Sequence, residues 1–375
     1  MRRLVVFAAV FLGALPGVRA QWEIQNSNTT ADLRGIHSIG NGVAWASGTN
    51  GTVLRTEDGG YVWQSCAVPP GAEKLDFRGI QGFDANTAIV MSSGKGDLSR
   101  MYRTTDGCHS WKLIFINPDK SGFLDAIVFD RRKWGWVLGD PVRGSFVLFA
   151  SVDGGRTWIR QHNRGLKAEA STQGAFAASN SSLLALNEFV VFASGGSDGA
   201  FEYTMTTFEL CLDCSEEKID KEGRRNTWQK VPIPVGSRSE SSGVFSIGRR
   251  TLPIDDAPGN ETLIAVGGDF QNPDSPVGNA AFSNAEGSTW TTAQTQPNGY
   301  RSSVAYDDKS ETWITVGPNG TDISTDDGKN WHSLRPDPSR HEAPDADRNW
   351  NAISLPFVVG PKGRIGKLNP AALGR

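Results

Sequence analysis

Six tryptophans each close a short turn of the form Ser/Thr-x-Asp-x-Gly, and this recurrence constrains the fold more than any other feature of the chain. The cleanest copy is Ser151-Val-Asp153-Gly-Gly155-Arg-Thr-Trp158, followed closely by Thr56-Glu-Asp58-Gly-Gly60-Tyr-Val-Trp63 and Ser324-Thr-Asp326-Asp-Gly328-Lys-Asn-Trp331. The copy from Thr104 through Asp106 to Trp111 carries Cys108 in place of the second glycine, and the copy from Ser283 to Trp290 has Ala285 in place of the aspartate. A sixth copy is split by an insertion between Thr204-Met-Thr206 and Asn226-Thr-Trp228. The unit has a mechanical meaning: the carboxylate caps backbone N–H groups of a tight turn, glycine supplies positive φ, and tryptophan anchors the next strand. Repetition once per supersecondary unit signals a repeat architecture, whose period identifies it.

Asp58 and Asp106 are 48 residues apart, Asp106 and Asp153 are 47 apart, and Trp290 and Trp331 are 41 apart. That period is the roughly 40–50 residues of a four-stranded propeller blade. The intervals from Trp158 to Trp228 (70 residues) and from Trp228 to Trp290 (62) are longer and carry insertions, the clearest at about 207–226 in the fourth blade. Blade 1 predicts strands over Leu33–Ile39, Val43–Gly48, Thr52–Thr56 and Val62–Ala67, rich in β-formers and punctuated by Gly, Asn and Asp. After Trp331 three strands are expected, at 349–355, 356–360 and 364–368, with no tryptophan-led fourth. Gln21-Trp22-Glu23-Ile24 is an orphan strand led by tryptophan, and pairing it with that sheet closes a seventh blade and removes an open edge. The predicted fold is therefore an all-β, seven-bladed β-propeller over 21–375.

Met1-Arg2-Arg3, the apolar run from Leu4 to Leu15 and the small-residue exit Val18-Arg19-Ala20 have the layout of a secretory signal peptide cleaved after Ala20. The run is too short to span a bilayer, so an exported chain without a membrane span is expected, periplasmic or secreted. In an oxidising compartment the four cysteines can pair, with three connectivities open. Cys211 and Cys214 sit in the blade 4 insertion, where a local bridge would stiffen it; Cys66 and Cys108 lie on outer parts of neighbouring blades. A net charge of −3 argues against nucleic acid as the main partner. No phosphate loop, dinucleotide fingerprint or nucleophile elbow is present, and the five histidines show no ligand spacing, so neither cofactor nor metal is expected. His37, His109, His162, His332 and His341 are expected on the surface or in turns, and Arg131-Arg132-Lys133 and Arg249-Arg250 in solvated loops. Asn28, Asn180, Asn260 and Asn319 head glycosylation-type triplets.

The Asp-box turns resemble those of the sialidase-like propellers. With the runs Asn-Gly-Thr-Val-Leu-Arg-Thr (50–56) and Gly-Pro-Asn-Gly-Thr-Asp (317–322), the chain over about 21–370 is similar to the photosystem II stability/assembly factor family. The resemblance implies a propeller whose Asp boxes lie at the periphery between third and fourth strands, stabilising blades. Asp boxes occur in hydrolases, lectin-like modules and assembly factors alike, so the resemblance speaks to fold before function.

Ligands of such a ring are expected at the channel mouth on the face opposite the Asp turns. Aligning the predicted inner strands places Arg34, Arg78 and Arg301 at equivalent points of blades 1, 2 and 6, and Asp125 on the blade 3 strand. Asp140, Asp198 and Asp269 follow second strands in blades 3, 4 and 5, which gives the face a cationic half and an anionic half. Three converging guanidiniums grip a carboxylate bidentately, as sialidases do. Hydrolysis also needs a nucleophile and an acid. Tyr300 is expected to point into its blade, Glu240 lies in a loop, and an Arg-Ile-Pro signature near the N-terminus is absent. Three roles stand open for the arginines: pairing with channel acids such as Asp125, binding a protein partner, or clamping an acidic glycan. The favoured expectation is a non-catalytic exported propeller that binds a protein partner; the alternatives are a sialidase-like glycoside hydrolase or a carbohydrate-binding module without turnover.

Overall fold

A computed structural model describes residues 21–130, 133–186, 189–207, 226–250, 261–337 and 342–373. Among these residues seven sheets follow one another round the ring, six of four strands and one of five, each built on four strands in antiparallel succession. Their first strands are Leu33–Gly40, Phe77–Gly82, Leu124–Asp130, Leu183–Leu186, Ser242–Arg250, Ser303–Asp307 and Ala352–Ser354. Each packs against the first strand of the next blade, including the seventh against the first, so the ring closes round a channel. The last sheet has the order of closure expected: Trp22–Gln25 pairs antiparallel with Ile365–Leu368, with Trp22 opposite Leu368. Blade 4 departs from four strands, because Asn163–Arg164 adds a short parallel edge strand to Asn226–Ile233.

Seven apolar clusters fill the seven blade interfaces. The turn tryptophans divide among them. Trp63 packs between blades 7 and 1, Trp111 between 1 and 2, Trp228 between 3 and 4, and Trp331 between 5 and 6. Trp158 and Trp290 lie partly buried against the 2–3 and 4–5 clusters. Trp22 completes the set between blades 6 and 7, where its indole N–H donates to Thr321 Oγ1 at 3.2 Å. Each ring thus anchors its blade on the preceding one, which is why the unit recurs once per blade.

The turns have the geometry their composition requires. Ser151 Oγ donates to Asp153 Oδ1 at 2.8 Å and accepts the Gly155 N–H at 2.8 Å, while Asp153 Oδ1 also accepts the Thr157 N–H at 3.0 Å. The same pattern holds Asp58, Asp106 and Asp326. Burial opposes ionisation of Asp153, but donors from Thr157, Ser151 and the Arg156 amide outweigh it and bring its pKa down to about 2. Cys108 takes the left-handed backbone of the glycine it replaces (φ 66°) and forms a disulfide with Cys66, stapling blade 2 to blade 1. Where Ala285 has removed the carboxylate, the Ser288 N–H donates to Ala285 O at 2.9 Å, and the Trp290 indole N–H donates to Glu202 of blade 4 at 2.7 Å.

Two loop expectations are corrected. Arg249 and Arg250 end a strand and are paired, with Glu261 and Asp327 respectively. His37 lies between blades 1 and 2, its Nδ1 accepting the Gly82 N–H at 3.2 Å, and burial pulls its pKa down to about 4. Asn180 and Asn319 are not free for modification: the Asn180 amide brackets the Ile127 backbone at 2.8 and 2.9 Å, and Asn319 is held between Pro273 O and Arg301. Residues 1–20, Arg131, Arg132, Asn260, Cys211, Cys214 and His341 lie outside the described residues, as does nearly all of the blade 4 insertion.

Candidate functional site

The inner strands aim selected side chains into the channel mouth through a repeated irregularity. In blades 1, 2, 3 and 5 the register slips by one residue at Arg34, Arg78, Asp125 and Phe245. Such a bulge leaves two residues opposite one and re-aims the extra side chain. Ser302 and Asn351 occupy the corresponding positions of blades 6 and 7, their amides donating to Val316 O at 2.9 Å and Val359 O at 2.7 Å. All six residues line one cavity of about 590 Å³. The residue after each is small, because the inner strands crowd there. A Cβ on Gly35 would stand 2.9 Å from Arg78 O, and one on Gly79 would stand 3.0 Å from Asn180 Oδ1.

The floor comes from blade 4. The stretch Gly174-Ala175-Phe176 does not form the inner strand of this blade, which starts at Leu183. Residues 172–182 instead cross the channel, touching blades 2, 3, 5 and 6. Ala177 O accepts from Arg78 Nη1 at 3.0 Å, Asn180 brackets Ile127, Ser181 Oγ donates to Ser246 Oγ at 2.7 Å, and Ser179 Oγ donates to Ser302 O at 2.8 Å. This polar plug lengthens the interval before Trp228, to which the insertion at about 207–226 also adds. It carries Phe176 into the cavity, stacked on Phe245 with centroids 3.9 Å apart and planes 13° apart. Tyr300 and Phe270 meet Phe245 edge-on at 4.7 and 6.1 Å. Phe270 is the exposed rim of this aromatic wall.

On the opposite side Arg34 and Arg78 share Asp76: Arg78 Nε donates to Asp76 Oδ2 at 2.8 Å, and Arg34 Nε lies 3.7 Å from Oδ1. Their anchor is therefore Asp76, which the sequence did not single out, and not Asp125. Asp125 is buried, and neither of its carboxyl oxygens has a hydrogen-bond partner among the described residues. Burial, then the neighbouring Asp140, push its pKa well above the usual carboxylate range, against the pull of Arg78 and of the nearby Asp140 amide, whose N–H is itself donated to Phe123 O at 3.0 Å. Asp140 Oδ1 accepts the Ala175 N–H at 3.1 Å, and burial raises its pKa to about 6.

Arg301 does not join the other arginines. Its side chain is wholly buried inside blade 6, where Nε and Nη2 bind Asp322, Nη1 donates to Tyr300 O at 2.8 Å and Asn319 Oδ1 at 2.6 Å, and Nη2 reaches Asn298 O at 3.1 Å. The equivalent of Arg34 in this blade is Ser302, one residue later, and a one-residue slip reverses which side chains face the channel. Tyr300 accordingly lines the cavity that it was expected to turn away from. Without Arg301 the three-arginine carboxylate clamp is not assembled. Asp198 is exposed on its loop, and Asp269 is held by Ser237, Ser239 and Ser241, so neither lines the cavity. Glu240 reaches the rim. The face is consequently cationic at blades 1 and 2, carboxylate-bearing at blade 3, and aromatic from blades 4 to 6. Among the described residues no group of three or more His, Cys, Asp or Glu is placed to hold a metal ion, and no helix is long and apolar enough to cross a membrane.

These features define a seven-bladed propeller with a plugged channel and an open amphipathic mouth. The same fold occurs in a solved structure titled YCF48 bound to D1 peptide, with a TM-score of 0.59 at 18% identity over 93% of this chain and 96% of that one. YCF48 from Cyanidioschyzon merolae gives a TM-score of 0.55 at 18% identity, covering 94% of this chain and 100% of that one. No family model and no curated protein matches the sequence.

Proposed function

We propose that this protein is an exported, non-catalytic propeller that holds a peptide segment of a partner protein in the channel mouth. The observation that carries the proposal is the composition of one cavity of about 590 Å³. An aromatic wall faces two arginines there, over a floor that brings backbone as well as side chains to the ligand. Aromatic and arginine side chains dominate the energetics of protein recognition, since both bury large surface and still offer polar contacts. The shared fold with YCF48, whose structure was solved with a D1 peptide, supports a peptide as occupant. Export is supported by the layout of residues 1–20 and by the Cys66–Cys108 disulfide, which suits an oxidising compartment.

The test places a photo-crosslinking amino acid at Phe270 and identifies by mass spectrometry what is captured in the native extract. Capture of one protein through a defined segment, lost on Arg34→Glu or Arg78→Glu while the circular dichroism spectrum stays unchanged, is the expected result. Capture that is indifferent to both charge reversals would remove the mouth as the binding site. N-terminal sequencing of the mature protein tests export, with Gln21 expected as the first residue.

A further inference from the structure

The carboxylates of blade 3 are not used by the arginines. Asp125 is only 1% exposed, yet it lines the cavity with both oxygens unpartnered among the described residues. A buried carboxylate without a partner is costly, and proteins ordinarily neutralise one with a cation or hydrogen-bond donors. The cation of the chain whose field reaches it, Arg78, commits Nε to Asp76 Oδ2 at 2.8 Å and Nη1 to Ala177 O at 3.0 Å. Arg34 leans on Asp76 and Asp32. The other ionisable groups facing the pair across the mouth are Glu240, which is also acidic, and the phenol of Tyr300. When all are ionised, carboxylates outnumber guanidiniums at the mouth. The neutral part of the lining includes Ser302 and Asn351 and an aromatic wall with the Phe176–Phe245 stack at 3.9 Å.

We propose that Asp125 and Asp140 form a subsite for one basic side chain, lysine or arginine, of the bound peptide. This assignment rests on the mouth being a peptide site and names what the peptide must carry. An ammonium or guanidinium at the end of an alkyl stem matches both parts of the pocket. The head supplies the charge and N–H donors that Asp125 lacks, and the stem lies along the aromatic wall, whose ring faces also attract cations. A hard divalent cation fits poorly, because it needs six or more oxygen ligands and, among the described residues, no group of three or more His, Cys, Asp or Glu is placed to hold one. Both carboxyls hold protons more tightly than usual because of burial, and a basic ligand must displace them. Affinity for a basic peptide therefore rises with pH.

The full chain is titrated calorimetrically with acetyl-Phe-Lys-Gly-amide and with acetyl-Phe-norleucine-Gly-amide, at pH 5 and pH 8. The lysine peptide is expected to bind roughly tenfold tighter at pH 8, the effect of a modest desolvated charge pair, with the preference shrinking at pH 5. Asp125→Asn should abolish the preference; if that variant fails to fold, Asp140→Asn should weaken it. Equal affinity of the two peptides at pH 8 overturns the cation subsite while leaving the peptide site intact. Failure of both peptides to bind overturns the subsite, and the Phe270 crosslink then decides separately whether a protein binds at the mouth. Saturable binding of calcium alone, lost in Asp125→Asn, would reassign the pair to a metal and equally overturn the proposal.

Discussion

Replacing Asp140 by asparagine should stabilise the ligand-free protein at neutral and alkaline pH and leave it unchanged at acid pH. Unfolded, Asp140 titrates near 3.8; folded, burial moves it to about 6. The folded state therefore holds more protons across that window, and stability falls as pH rises from about 4 to about 6. At about 1.4 kcal/mol per pH unit, a gap of about two units puts the loss near 3 kcal/mol. Relaxation around the charge makes about 1.5–3 kcal/mol the working range. Asparagine carries no charge to bury, and its amide oxygen can still accept the Ala175 N–H that Asp140 accepts at 3.1 Å. Its removal of a negative neighbour also eases ionisation of Asp125. Urea unfolding followed by tryptophan fluorescence measures both proteins at pH 4 and pH 8. The variant should match wild type at pH 4 and exceed it by about 1.5–3 kcal/mol at pH 8. A variant less stable at pH 8, or one with the same difference at both pH values, would refute the account of Asp140 as a buried charge kept at a cost to the fold.

Asp153→Ala should cost about 1–2 kcal/mol by leaving the Arg156 and Thr157 amides of its turn without their acceptor, with peptide affinity of the folded fraction unchanged. A binding defect without a stability defect, in thermal melts paired with calorimetry, would mean the turns do more than hold blades. Deleting Gln21–Gln25 removes the strand that pairs with Ile365–Leu368 and the Trp22 anchor between blades 6 and 7. The melting temperature should fall as one cooperative transition, and an unchanged melt would contradict closure through the termini. Arg301→Ala leaves Asp322 buried without its partner and should cost about 3–5 kcal/mol while sparing the affinity of folded molecules. A stable variant that has lost peptide binding would return Arg301 to the mouth.

The architecture was legible because it rests on local chemistry repeated along the chain. Ser/Thr, Asp and Gly at fixed offsets dictate a turn, tryptophan marks the next strand, and their interval fixes the blade size. Even the closure could be read, since Trp22 is the one strand-leading tryptophan without a sheet and the last sheet is the one without a tryptophan-led fourth strand. Arg34, Arg78, Asp125 and Asp140 do line one cavity, the first three each at a bulge of its inner strand. Arg301 was misplaced by a single residue, since pairing register in a strand is set by the partner strand and a slip of one exchanges the two faces. The small residue that follows each mouth residue, as in Arg34-Gly35 and Phe245-Ser246, does not settle the alignment in blade 6, because Arg301 and Ser302 are each followed by a serine. No local signal sends residues 172–182 across the channel. Their course is fixed by hydrogen bonds to blades 2, 3, 5 and 6, which are distant in sequence and meet only when the ring closes. The same closure brings Phe176 against Phe245 and leaves Asp125 buried without a partner, so the chemistry of the mouth belongs to the tertiary structure although its residues were visible all along.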